Sequence, residues 1–372
     1  MGASSPLPAA TSRGSTSDRQ NNFDALRLAL ATLVLFSHSF VLTGEVDPIA
    51  HATKMQLDGG AIAVDGFFTI SGFLITQSWL NSGSTDRFLA KRIRRIYPGF
   101  LAAVAVSMVI GALLSETVRY LKLIAFDSEL AVRSVFFLSY GILDNAAAFP
   151  NNPYPHAVNG SLWTLQPELF CYLLVAGAGV LGALKRRWMV AVVSLGVFAI
   201  YMIEVGTRLG ASPTDFTRLY IYFAAGSLLY LYRARFDDVR LILGSIAIVA
   251  LSLVAPPPFF TFVLPIAGSY LLLALAFSRR VRLYGAAAHG DFSYGVYLYA
   301  FVVQQAAIAV LNLAHKPFTL FAIALPVTYV FAFASWHLVE KRFIRRPNRE
   351  PRESPVILSD PVRELSAEGA SS

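Results

Sequence analysis

The 372 residues are 55% apolar and only 15% charged, with a mean hydropathy of +0.55. Soluble domains carry about 25% charged residues, so this composition excludes a string of them. The 13% aromatic content excludes a disordered chain, and the lone Cys171 excludes a disulfide scaffold. A polytopic membrane protein with one integral domain remains, and its net charge of +8 belongs either to nucleic-acid binding or to the anchoring of helices in the cytoplasm.

In chain order, residues 1–22 are rich in Ser, Thr, Ala and Pro, without an apolar h-region, and read as a disordered cytoplasmic tail rather than a signal peptide. A membrane domain is expected over 23–346, and a second disordered cytoplasmic tail over 347–372. A membrane core of roughly 30 Å needs about 17–25 apolar residues per helix. Ten stretches are candidates, some of them short and so expected to tilt or to be partly buried in the bundle: 26–43, 60–80, 99–115, 162–183, 188–205, 218–232, 241–255, 258–277, 292–313 and 317–338. The apolar stretch 131–142 is too short to span and reads as a re-entrant or interfacial helix. The predicted fold is therefore all-α, a polytopic bundle of about ten transmembrane helices. With both termini in the cytoplasm, 24 of the 31 Lys and Arg residues fall on the cytoplasmic side. That asymmetry assigns the basic clusters to topology, so no nucleic-acid partner is expected.

Titratable side chains within spans are expensive and mark function. Four stand out: His38, Asp65, Glu168 and, at the inner edge, Arg27. Counted at 1.5 Å per residue, the first three lie at one level, about 8–10 Å below the outer surface. A shared polar site would give a histidine base with a carboxylate to orient it. Arg27 lies about 16 Å from His38 along the same helix, at the depth of the cluster KRIRRIYP. There Arg92 and Arg95 share one helix face and suit a phosphate clamp, although topology alone also demands basic residues at that place. No metal-ligand pair at helical spacing and no Gly-rich phosphate loop is present, so no metal is expected. AAGS at 224–227 reads as a helix-packing surface.

Six segments in order resemble the acyltransferase-3 family of integral membrane acyltransferases. FDALRLALATLVLFSH resembles the opening helix with Arg27 and His38, and VDGFFTISGFLIT the second helix with Asp65, Ser71 and Gly72. KRIRRIYPGF resembles the Arg-x-x-Arg segment (Arg92, Arg95, Pro98), and NGSLWTLQPELFCYLL the Trp-x-Leu-x-x-Glu motif (Trp163, Leu165, Glu168). DFSYGVYLYAF and HLVEKRF resemble the late Ser-Tyr helix and the terminal Glu-Lys motif. Two positions depart: Ala300 stands where a His often follows Tyr-Leu, and Arg342 where a Pro commonly follows Glu-Lys.

The resemblance implies transfer of an acyl group, acetyl above all, from cytoplasmic acyl-CoA to a hydroxyl of a cell-surface, secreted or lipid-linked carbohydrate. It further implies a bacterial cytoplasmic membrane. His38 would be general base or transient acyl carrier, with Glu168 or Asp65 fixing its tautomer. Arg27, Arg92 and Arg95 would hold the phosphates of acyl-CoA. Ser71 would face the substrate pocket or serve a close helix contact, and Trp163 would stack on sugar or anchor in the interfacial belt. The competing class is a polysaccharide or small-molecule transporter that uses the buried His, Asp and Glu as a proton relay.

Overall fold

The computed structural model describes residues 21–116, 118–120, 122, 147–207, 215–232, 234–283 and 290–344. These contain no strand, and each of the ten expected stretches contains a helix. The helices are α1 (Phe23–Thr43), α2 (Gly59–Leu80), α3 (Thr85–Leu114), α4 (Leu165–Val180) and α5 (Arg187–Thr207). They continue as α6 (Asp215–Leu231), α7 (Val239–Val254), α8 (Phe259–Ala276), α9 (Ser293–Leu311) and α10 (Pro317–Phe343). The segment 131–142 lies outside the described residues.

Among the described residues, seven helices are long and apolar enough to cross a membrane: α1, α2, α3, α5, α8, α9 and α10. The helices α4, α6 and α7 have 16, 17 and 16 residues. At 1.5 Å per residue they reach only about 24–26 Å, short of the roughly 30 Å hydrocarbon core. The outer surface is apolar as lipid contact requires, with Leu195, Leu251 and Val330 all exposed. The protein is a multi-pass membrane protein.

Local chemistry sets several boundaries. Asp58, Ser84 and Asp238 accept from the first-turn amides of Ala61, Arg87 and Arg240 at the starts of α2, α3 and α7. Gly44, at φ +80°, closes α1 in the left-handed conformation that glycine adopts without cost. Asn22 falls in the expected tail yet is buried. Its amide donates to the carbonyls of Leu275 and Val281 and accepts from Leu283 N–H, pinning α1 to the end of α8.

The tightest helix crossing joins α2 to α6. A Cβ at Gly72 would lie 1.9 Å from the Phe223 carbonyl oxygen, and one at Gly226 would lie 2.0 Å from that of Thr69. Hydroxyls bridge the same seam, Thr76 to Ser227 at 3.0 Å and Ser227 to the Gly72 carbonyl at 3.2 Å. The AAGS segment is thus the packing surface its composition suggested. Gly226→Ala is expected to lower stability by about 3 kcal/mol or more, since backbone must move to admit the methyl. Gly244→Ala, where a Cβ meets nothing within 4 Å, should leave the thermal midpoint in detergent unchanged. Equal midpoints for the two variants would refute the close-packed seam.

Candidate active site

An open cavity, about 860 Å³ with the solvent at its mouth included, lies between α1, α2, α3, α4 and α9. Helical spacing explains its walls. Val64, Phe67, Phe68 and Ser71 come from one face of α2, Arg92, Arg95 and Ile96 from α3, Leu165, Glu168 and Tyr172 from α4, and Ser293, Tyr294 and Tyr297 from α9. Arg27 of α1 completes it.

Three guanidinium groups therefore meet in one mostly apolar hollow. Arg92 donates to Ser78 Oγ at 2.7 Å and lies over the rings of Phe88 and Tyr172, at 5.6 and 5.9 Å from their centroids. Its Nε is buried without a hydrogen-bond partner among the described residues. Arg95 is ion-paired with Asp291 Oδ2 at 2.5 Å and lies over Tyr294. Asp291, just ahead of α9, also accepts from Ser293 Oγ at 2.6 Å. Burial works to raise the Asp291 carboxyl, yet Arg95 and Arg27 hold it below the ordinary carboxylate range. Arg27 is held at 3.6 Å from Asp24 one turn earlier. Two carboxylates near Arg95, Asp291 and the buried Glu340, lie in the late Ser-Tyr segment and the Glu-Lys motif, where the sequence reading gave them no site role. Glu340 accepts from Ser335 Oγ across the π-helical turn Trp336–Glu340 of α10, and its Oε2 is buried without a partner among the described residues.

Glu168 stands in the first turn of α4 and accepts from the Tyr172 hydroxyl, with Ser71 Oγ at 3.4 Å. It shares the cavity with the arginines rather than a level with His38 and Asp65. The reason is the chain ahead of α4. Residues 147–164 run into the bundle mostly as non-helical backbone. Asn152 bonds to Gln305, Asn159 to the Leu298 carbonyl and Ser107, and Thr164 to the Tyr297 hydroxyl at 2.6 Å. The partners descend α9 from residue 305 to 297, so α4 begins deep inside. Counting helical rise from the membrane surface therefore misplaces Glu168. Backbone of this kind is tolerated at membrane depth only where protein buries it.

The other expected site residues lie elsewhere. His38 packs edge-on against Phe301 at 5.3 Å between ring centroids, with its Nδ1 buried and unpartnered among the described residues. The preceding residue, Ser37, is bonded to Asp47, a buried residue the sequence reading passed over. Asp47 accepts from Ser37 Oγ, from the Gly59 amide at 3.0 Å and from the Ile49 amide at 2.6 Å. Its sequence context, an Asp before a Pro, reads as an ordinary helix cap, which it also is. Asp65 is buried in an ion pair with Arg218 Nη1 at 2.6 Å. That arginine opens the expected span 218–232 and is itself buried. Trp163 sits in the 3₁₀ turn Gly160–Thr164, half-buried against the main core, and does not line the cavity.

Comparison with known proteins decides the class. The model of the acyltransferase domain family, Acyl_transf_3, matches residues 20–337. The chain belongs to the acyltransferase-3 family. It is thus an acyltransferase, and the transporter reading falls away. The acyltransferase is 30% identical to the O-acetyl transferase of Shigella phage Sf6 over 347 residues, covering 88% of this chain and 97% of that protein. It is 28% identical to nodulation protein 10 of Rhizobium leguminosarum bv. viciae over 362 residues, covering 88% and 94%. It is 30% identical to the exopolysaccharide production protein ExoZ of Rhizobium meliloti (strain 1021) over 318 residues, covering 80% and 93%. No solved structure is significantly similar to the acyltransferase.

Proposed function

We propose that the protein moves an acetyl group from cytoplasmic acetyl-CoA to a hydroxyl of a cell-surface, secreted or lipid-linked carbohydrate. The observation that carries this reading is the cavity in which Arg27, Arg92 and Arg95 converge, with the Arg92 Nε still lacking a partner. A multiply charged phosphate donor matches that donor set, since guanidinium forks bind phosphate by charge-assisted bonds. The names of the phage O-acetyl transferase and of ExoZ support the acetyl group and the carbohydrate acceptor.

In the proposed reaction the acceptor hydroxyl attacks the thioester carbonyl while His38 takes the hydroxyl proton. The tetrahedral intermediate collapses by breaking its C–S bond, and the leaving thiolate takes the proton back from the imidazolium. Glu168 holds the Tyr172 hydroxyl, and the Tyr172 ring lies beneath Arg92, so Glu168 is a positioning residue for the donor end. Asp291 does the same for Arg95. Ser71 belongs to this polar floor, whereas Asp65, paired with Arg218, serves the α2–α6 scaffold.

The full chain in lipid nanodiscs, given radiolabelled acetyl-CoA and the alkali-deacetylated surface glycan of its own cell, should place label in the glycan. Label recovered only as acetate, or none released, refutes the reading. Arg92→Ala should raise the KM for acetyl-CoA by about 10–100-fold, the worth of one or two charge-assisted hydrogen bonds. The glycan KM should not change, and a parallel rise in both would instead indicate a folding role.

A further inference from the structure

A second cavity, of about 630 Å³, lies at the other end of α9 from the arginines. Ser293, Tyr294 and Tyr297 line the first cavity, Phe301 touches His38, and Ile308, Ala309 and Asn312 line the second. At 1.5 Å per residue, His38 thus stands about 6 Å beyond the Tyr297 level and about 10 Å short of the Ile308 level. The histidine stands at a level between two hollows, and among the described residues cations line the first alone.

The second hollow has a different chemistry. Among the described residues no charged side chain lines it. Three carboxamides do line it, Asn151, Asn152 and Asn312, beside the flat apolar surfaces of Phe149, Pro150 and Pro153. Asn151 and Asn312 can both donate and accept, as a vicinal diol requires, Asn152 keeps its carbonyl oxygen as an acceptor, and flat apolar groups suit the C–H face of a pyranose ring. The hollow is also rigidly built. Asn152 Nδ2 donates to both the Gln305 carbonyl and Gln305 Oε1, at 3.0 and 2.8 Å, while Gln305 Nε2 donates to the Tyr154 and Ala157 carbonyls, each at 2.8 Å. Phe149 is held at φ +41°, a left-handed conformation that bulky residues avoid and that persists only where the surroundings enforce it. The same loop continues past His38, where Gly160 abuts the Phe301 ring, and ends in Thr164 at the first cavity.

We propose that this second cavity is the acceptor subsite, taking hexose units of the carbohydrate through their hydroxyls and C–H faces so that a hydroxyl reaches His38 from the side opposite the acyl donor. The assignment rests on the acetyltransferase reading above. Asn151→Ala and Asn312→Gly each remove one carboxamide, and glycine keeps the left-handed backbone of Asn312 at φ +51°. Ala314→Trp fills the cavity from its exposed rim. With deacetylated surface glycan and radiolabelled acetyl-CoA, each asparagine variant should raise the glycan KM about tenfold, as loss of one neutral hydrogen bond predicts, and Ala314→Trp should raise it at least as much by occlusion, while the acetyl-CoA KM stays within about twofold. An unchanged glycan KM in all three variants overturns the assignment, as does a parallel shift of both KM values. A wild-type protein that labels no glycan at all overturns the acetyltransferase reading itself, and that result is visible before any variant is compared.

Discussion

Replacing His38 with alanine is expected to lower acetyl transfer by about 10²–10⁴-fold, the usual contribution of a positioned general base. Abundance in the membrane should stay at the wild-type level. The ring packs against Phe301, and its Nδ1 makes no hydrogen bond among the described residues that alanine would sever. Transfer of radiolabel to the deacetylated glycan, normalised to the amount of folded protein, measures the effect. Activity within a few-fold of wild type would remove His38 from the chemistry. A variant that fails to accumulate would mean that its packing matters more than its proton.

The second large effect concerns Asp65 and Arg218. Arg218→Ala leaves the Asp65 carboxylate buried with its Oδ1 partner gone, and removing one member of a buried pair costs about 3–5 kcal/mol. A sharp fall in the thermal midpoint in detergent, and in the amount of protein reaching the membrane, should follow. Replacing both residues with leucine removes the stranded charge and should restore the fold, because apolar side chains substitute for a buried pair at little net cost. The double variant should then acetylate glycan. A double variant that is folded but inactive would return Asp65 to the reaction, beside His38, where its depth in the sequence first suggested it.

These two residues also show how far sequence carried and where it stopped. His38 and Asp65 were equally conspicuous as titratable groups in apolar stretches, and rise per residue put them at one level. What separated them was the neighbour on another helix. Arg218 lies 153 positions from Asp65 in the chain, at the start of a helix, where it reads as a loop cation. Glu168 shows a different failure. Its depth was counted along a helix from the membrane surface, but residues 147–164 descend largely as non-helical backbone. Extended chain advances about 3.3 Å per residue against 1.5 Å in a helix, so the count stopped short. Gln304, Gln305, Asn152 and Asn159 form the buried network that holds this loop. Polar amides carry no charge signature, and nothing in their spacing announced the role.

The arginine cluster was legible for the opposite reason. Arg92 and Arg95 sit three residues apart on one helix, and local geometry alone places both on the same face. Their commitments were not legible, since Asp291 and Ser78 are brought to them by other helices.

By itself the sequence determined that the chain is helical, apolar and built for a membrane, because those properties follow from composition and from the period of its apolar residues. It also determined the family, through six short motifs in order. Only the tertiary structure decided which polar groups meet. It paired Asp65 with Arg218, set Glu168 among the arginines, and packed His38 against Phe301 of α9. The physical reason is that helical periodicity fixes which face a residue occupies, whereas partners come from helices far away in the chain, whose depth and rotation are set by packing such as the Gly72–Gly226 seam.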